Sequence, residues 1–354
     1  KADLFLFVCL FSPQTYRKLQ AIAIGSDFRN VTKVTEHSFD ELIKSLGPKN
    51  ILVKNIHLGI NASDVNYTNA KYTPGIVPPF DVGFEGIGSV VAVGSEVTNQ
   101  KVGNFVVYTL FGSFSEYVQV PAETAIPVPA PNPEFVALQT AGITSSLALT
   151  FSGRMTTNET VLVTAAAGGA GQIAVQLAKL AGNHVIGTCS SDEKVAMLKG
   201  MGCDRVINYK KEDFAQVLKK EYPRGMDIVI ESVGGEFFQT CLNNLAVCGR
   251  LVVLGSVSSY TREGGLAGDN VNTLQLLAGS KTVSGFYLPA FFPHVPAHMM
   301  NMYKLMAEGT LKVHVEDKGY VGLEQIADAV EYLHSGKSMG KIVVTLPEDN
   351  KSKI

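Results

Sequence analysis

The sequence predicts an α/β protein in which a doubly wound parallel sheet is joined to a second, mainly β domain. Three observations carry this. The β-branched run Thr160–Val163 enters the glycine-rich turn Ala165-Ala-Ala-Gly-Gly-Ala-Gly171, and an apolar-periodic stretch, Ile173 to Leu180, follows. That strand–turn–helix layout opens a dinucleotide-binding βαβ unit. Downstream, short Val/Ile-rich runs alternate with helical patterns, as in a sheet covered on both faces. Upstream, β-like runs are broken by Gly and Pro and show no helical period.

In chain order, Leu4-Phe-Leu-Phe-Val-Cys-Leu-Phe11 is too short to span a bilayer, and no small-residue cleavage site follows it. Lys1 is not an initiator, so residues 1–16 read as an atypical leader on a fragment. Organised pattern begins at Arg17. Ile51–Gly59, Gly86–Val93 and Phe105–Tyr108 read as strands of a small, barrel-like β domain. The domain boundaries predicted are 17–138 for the first part of this domain, 139–288 for the nucleotide-binding domain, 289–347 for a return to the first domain, and 348–354 for a tail.

Laid on G-x-G-x-x-G, the turn places Ala166, Gly168 and Gly171 at the three special positions. The methyl of Ala166 is tolerated if φ stays negative. Gly168 lets the backbone approach a pyrophosphate, and Gly171 lets the helix pack on the strand. Gly169 and Ala170 complete the loop, and the helix N-terminus offers N–H groups to phosphate. The next strand, His184 to Ser191, ends in Ser190 and Ser191, where an NAD-specific site carries a carboxylate. With Lys194 one turn into the following helix, two hydroxyls and an ammonium suit a 2′-phosphate. The cofactor is therefore read as NADPH. Ser190 also reads as a helix cap.

Arg205–Tyr209 is then a strand, Lys211–Glu221 a helix and Met226–Glu231 a strand. Phe237–Ala246 reads as a helix and Gly249–Gly255 as a strand. Ligands bind at strand C-termini in such sheets, which puts Tyr209, Ser232, Leu254 and Gly255 along the groove. Met299–Glu308 and Leu323–Leu333 look helical, and Gly340–Leu346 is a last strand that pattern alone does not assign to either sheet.

With 354 residues, 46% of them apolar, the chain has material for roughly two cores. A net charge of −2 gives no electrostatic case for nucleic acid or an anionic membrane. No apolar run reaches spanning length. Cys9, Cys189, Cys203, Cys241 and Cys248 lack C-x-x-C spacing and read as reduced thiols, neither a disulfide framework nor a zinc lobe.

Gly59-Ile-Asn-Ala-Ser-Asp64, Gly83-Phe-Glu-Gly-Ile-Gly88, the glycine-rich turn and Gly340-Lys-Ile-Val-Val344 occur in an order that resembles the medium-chain dehydrogenase/reductase superfamily, from about Leu19 to Leu346. The resemblance implies a GroES-like catalytic domain split around a Rossmann domain, and a homo-oligomer, most simply a dimer. Zinc-dependent members carry Cys where this chain has Asn61, His at Phe84 and Cys near Ala141. None of these three can supply a thiolate or imidazole, so no metal site is expected and the chain resembles the zinc-free quinone and enone reductases. Gly187–Lys194, Gly202–Arg205, Ile207–Tyr209 and Glu231–Gly235 look like the prostaglandin reductase branch. That likeness implies NADPH-dependent reduction of the 13,14 double bond of 15-oxo-prostaglandins. It also implies cofactor contacts at Ser190, Lys194, Tyr209, Ser232, Leu254, Tyr260, Phe286, Tyr287 and Leu288. Ala170 and Ser338 stand where Thr and Asn are expected, a departure at two polar contacts.

Hydride addition to the β-carbon of an enone places negative charge on its carbonyl oxygen, which without metal needs hydrogen-bond donors. Asn61, Tyr67, Tyr72 and Tyr260 are the candidates. For Tyr67 and Tyr72 the alternative is loop packing, and for Asn61 and Asp64 it is a local Asx-type turn. The resemblance implies that the enone is a lipid, with quinone reduction or non-catalytic NADPH binding as the competing readings. The closing Ser352-Lys353-Ile354 is close to the Ser-Lys-Leu peroxisomal address read by an import receptor. A solvated tail and a cytoplasmic location are the alternatives.

Overall fold

The parallel sheet forms because its strands are short runs of branched apolar residues that can be buried on both faces. In the computed structural model, which describes residues 13–260 and 268–347, six parallel strands run in the order Arg205–Asn208, His184–Cys189, Thr160–Val163, Met226–Glu231, Leu245–Val253 and Thr282–Gly285. Strand order reverses on either side of Thr160–Val163, so the crevice at its C-terminal end is where such sheets hold a ligand. Val161, Leu162 and Val163 are fully buried there.

The second sheet has seven strands. Asn50–Gly59 lies at its centre and pairs antiparallel with Glu85–Val93, with Tyr117–Pro121 and with Val343–Thr345. The chain's last described strand thereby returns to the first domain, an assignment the sequence pattern left open. A three-stranded sheet adds Thr32–Ser38, Thr15–Ala21 and Phe80–Asp81. Its middle strand starts two residues ahead of Arg17, and Tyr16 is already in the core. This domain is a Rossmann partner of the GroES-like, mainly β kind. The leader stretch Leu4–Phe11 and the Ser352-Lys353-Ile354 end lie outside the described residues.

The helix predicted over Phe237–Ala246 runs Glu236–Asn243, and the following strand begins at Leu245 instead of Gly249. Leu245 pairs with Met226, so its apolar side chain serves the sheet. A larger difference concerns residues 133–152. The polar residues Gln139, Thr140 and Ser145 hide a continuous helical run, Pro133–Ser152, whose best window has mean hydropathy 1.3. By length and composition it could cross a membrane, yet 72% of that window is buried inside this fold, where Leu138, Leu147 and Leu149 are core residues.

Candidate active site

The glycine-rich turn folds as its spacing requires. Gly168 (φ −83°, ψ 178°) precedes the helix Gly169–Leu180, and no side chain caps that N-terminus. A Cβ on Gly171 would stand 2.5 Å from the Ala165 carbonyl oxygen and 2.6 Å from Ala166 Cα, so only glycine fits. The left-handed residue of the turn is Ala165 (φ 46°), which leaves Ala166 outside that region and fully buried.

Beyond the strand His184–Cys189, Ser191 and not Ser190 caps the helix Asp192–Gly200, accepting the Lys194 N–H at 3.3 Å. The helix starts at Asp192, so the cap position falls one residue later than Ser190, whose hydroxyl faces Lys194 Nζ at 3.4 Å. The ammonium also donates to Gly336 O at 2.6 Å, and burial lowers its pKa. Asp192, the first acid after the strand, is bound to Lys211 on the surface at 2.5 Å. Ser190 and Lys194 are thus brought together without a carboxylate between them, as a 2′-phosphate requires.

The remaining groove residues follow the C-terminal ends of the sheet's strands. Tyr209 is half-buried against Phe237 (ring centroids 5.1 Å apart), and Ser232 donates its N–H to Thr164 Oγ1 at 2.9 Å. That loop is propped from beneath by Glu231, which is fully buried and accepts the Val233 and Gly234 N–H groups. Leu254 and Phe286 join one apolar cluster, whereas Tyr287 is 66% exposed. Ser338 is half-buried on the segment leading to Gly340, whose N–H donates to Ala167 O at 2.7 Å and ties the returning strand to the glycine-rich loop.

The four candidate donors separate into three environments. Tyr67 is packed: its ring lies 5.3, 5.6 and 4.7 Å from Phe80, Phe84 and Phe111. It forms a wall, as the loop-packing alternative has it. Asn66 donates to the Tyr72 hydroxyl at 3.2 Å, and it also acts on the Tyr260 hydroxyl, favouring its ionised form against burial. Burial pushes the Tyr72 hydroxyl up to about 12 and raises that of Tyr260, so both hold their protons. The Tyr260 oxygen accepts the Ser256 N–H at 3.1 Å. Its ring packs edge-on to His334, whose Nε2 is buried without a hydrogen-bond partner and whose pKa burial lowers.

Asn61 sits in a polar cluster the sequence did not reveal. Glu85 is fully buried, and its Oε1 takes Lys341 Nζ at 2.5 Å and Asn61 Nδ2 at 2.8 Å. Lys341 Nζ donates also to Asn61 Oδ1 at 2.7 Å. The other Glu85 oxygen accepts the Thr140 N–H at 2.7 Å. That N–H is free because the helix widens to a π turn over Leu138–Gly142, with Gln139 off the helical path (ψ −108°). Asp64 accepts the Asn61 N–H at 2.8 Å, and its burial pushes the carboxyl up to about 8. The Asx-type reading of Asn61 and Asp64 therefore describes their backbone, while the Asn61 amide does something more. Lys341 lay inside the Gly340–Val344 motif, but its role depends on a partner 256 positions away, which no spacing rule reaches.

The three positions at which metal-dependent relatives carry ligands do not fit zinc. Asn61 faces an ammonium, Phe84 packs on Phe111 at 5.1 Å, and Ala141 is buried beside Gly169. A neutral amide, a phenyl ring and a methyl offer no thiolate or imidazole.

A reductase site with a phosphate-ready glycine turn and a split β domain defines a class, and comparison with known proteins agrees. Residues 47–130 match the alcohol dehydrogenase GroES-like domain, and residues 169–307 match the zinc-binding dehydrogenase family. The chain belongs to the medium-chain dehydrogenase/reductase superfamily. It is 44% identical over 351 residues to mouse prostaglandin reductase-3, covering 97% of this chain and 92% of that one. It is 43% identical over 342 residues to a probable quinone oxidoreductase of Leishmania amazonensis, covering 95% and 99%. Among solved structures, Escherichia coli quinone oxidoreductase complexed with NADPH superposes with a TM-score of 0.81 at 28% identity, over 93% of this chain and 99% of that one. The protein is an oxidoreductase of this superfamily, and its cofactor is NADPH.

Proposed function

We propose that this protein reduces the carbon–carbon double bond of α,β-unsaturated ketones, without zinc, and that its substrates are lipid-derived, 15-oxo-prostaglandins among them. The observation that carries the reading is the Asn61 site: where a metal ligand would be, an amide is held between Glu85 and Lys341 beside an aromatic wall of Tyr67, Phe84 and Phe111. Likeness to prostaglandin reductase-3 supports the substrate class. NADPH, when bound, supplies a hydride. As the new C–H bond forms at the β-carbon, the π electrons move to the carbonyl oxygen, and the α-carbon then takes a proton from solvent or a tyrosine hydroxyl. Asn61 Nδ2, Tyr72 and Tyr260 are the donors proposed to stabilise that oxygen. Gly168–Gly171 would hold the cofactor's pyrophosphate, Ser190 and Lys194 would bind its 2′-phosphate, and Tyr209, Ser232, Leu254 and Phe286–Leu288 would line the rest of its groove.

Quinone reduction is the second reading. The aromatic rings of Phe84 and Phe111, tilted 59° to one another, offer ring faces to a planar acceptor, and the Leishmania relative carries that name. A turnover screen decides between them: 15-oxo-prostaglandins, short 2-alkenals and quinones, each with NADPH and NADH, after dialysis against a strong chelator. Enone turnover that survives the chelator is expected. Turnover of quinones alone retires the enone reading, and NADPH binding without turnover of any acceptor makes the protein a non-catalytic binder.

Two further proposals accompany this one. A homodimer would form where the outer edge of Thr282–Gly285 meets its copy, because Leu274 and Leu277 beside it are 70% and 77% exposed. A peroxisomal location would follow from Ser352-Lys353-Ile354. Residues 346–354 fused to a fluorescent protein should give punctate signal that disappears when Ile354 is deleted.

A further inference from the structure

Lys341 is 2% exposed, and an ammonium is kept from water only at a considerable cost unless it is paired and hydrogen-bonded. Its partners are Glu85 Oε1 and Asn61 Oδ1. An ammonium only donates and a carboxylate only accepts, so the two together permit one orientation of the Asn61 amide. The oxygen must face Lys341 and the NH₂ group must face Glu85. Of the two Nδ2 hydrogens, one is committed to Glu85 at 2.8 Å, whereas the nearest acceptor for the other is Gly59 O at 3.5 Å. That distance is too long for a good bond, so this N–H remains available to a ligand. Only without both Lys341 and the Glu85 carboxylate could the amide rotate by half a turn and present a carbonyl oxygen to a place where negative charge develops. The lysine is itself anchored at the cofactor loop. Its Cδ would lie 3.3 Å from a Cβ on Gly169, and its own N–H donates to His314 O at 3.0 Å.

We propose that Lys341 is a positioning residue for hydride transfer. Together with Glu85 it holds the Asn61 amide so that an N–H, never the carbonyl oxygen, meets the oxygen of the acceptor as charge builds on it. The proposal rests on the enone-reductase reading, since it needs an acceptor that gathers charge on oxygen.

The test compares Lys341→Met, Lys341→Arg and the charge-neutral pair Lys341→Met/Glu85→Gln. The single Met variant strands a buried carboxylate and is expected to lose stability, so the pair is the informative protein. In it, kcat should fall by roughly 10²-fold, the effect of losing one aligned donor, while KM and NADPH affinity move by less than about threefold. Lys341→Arg should recover part of kcat. The Asn61 side-chain amide signals in ¹⁵N-correlated spectra, assigned by their loss in Asn61→Ala, should shift and exchange faster with solvent in the pair than in the unmutated protein. A folded pair with unchanged kcat, or with unmoved Asn61 signals, overturns the proposal. If the unmutated protein reduces quinones and no enone, the substrate reading fails and the same kcat comparison is made with the quinone. If it reduces nothing, the amide signals alone decide.

Discussion

At the scale of single residues, chemistry here is set by which polar groups are paired. Lys194 holds Ser190 Oγ and Gly336 O with one ammonium, so it bridges the two domains as well as the 2′-phosphate position. A charge-assisted contact is worth roughly 1.5–3 kcal/mol; Lys194→Ala should therefore weaken NADPH binding by about tenfold or more and hardly change NADH binding, as measured by fluorescence titration. Equal loss for both cofactors would place the lysine elsewhere. Asp64 gives a second prediction. Its folded carboxyl titrates at about 8 against an ordinary 3.8, because burial and Glu85 disfavour the charge more than the Asn61 N–H and Lys341 favour it. A raised carboxyl binds its proton more tightly when folded, so the stability it contributes is present below about pH 4 and is lost as pH rises to about 8, by up to about 1.4 kcal/mol per pH unit. Asp64→Asn removes that slope: relative to the variant, the unmutated protein should lose thermal stability steadily between roughly pH 5 and 8. Parallel pH profiles for the two proteins would show that Asp64 does not titrate in that range.

Elements were legible where local pattern and burial agree. The glycine turn, the strand ends and the break between Ser190 and Asp192 all follow from residues close in sequence, and Gly168–Gly171, Ser190, Lys194, Tyr209, Ser232 and Leu254 came from that register, whereas Tyr260, Phe286–Leu288 and Ser338 rested on the family resemblance. Gly171 is the clearest case. With backbone at 2.5 Å from its virtual Cβ, Gly171→Ala should cost about 1–3 kcal/mol of stability through forced displacement of the helix, read from the urea midpoint, and should weaken NADPH binding with it. An unchanged midpoint would mean the loop has room the geometry does not show. What remained hidden was what two distant segments make together. The Thr140 N–H is a ligand of Glu85 only because the helix widens around it, and no hydrophobic period reports a π turn. Tyr72, held by Asn66, lies on a loop of one domain, and Tyr260 ends the short helix Val257–Tyr260 of the other. Tyr67 was indistinguishable from Tyr72 by sequence, since only packing separates a wall tyrosine from a donor.

At the scale of the molecule, the first domain wraps the second in sequence, and the sheet of the second ends in an open edge. Lysine at both exposed positions of the adjoining helix, Leu274→Lys with Leu277→Lys, should turn a dimer into a monomer in sedimentation velocity while sparing the fold. A protein that already sediments as a monomer before mutation retires the dimer.

The pairing of Glu85 with Lys341 also has a consequence in time. A ribosome adding about 5–20 residues per second needs roughly 13–51 s to travel the 256 positions between them. Throughout that interval the strand carrying Glu85 exists without the cation it is buried against, and without Val343–Thr345 to close its sheet. The nucleotide-binding half can finish folding on the nascent chain, whereas the catalytic half must wait open for the final strand. A stall or a premature stop anywhere after the Rossmann sheet would then leave a polypeptide with its nucleotide-binding sheet complete but with no assembled pocket, and with the unpaired His57–Gly59 end of the central strand presented to chaperones and proteases.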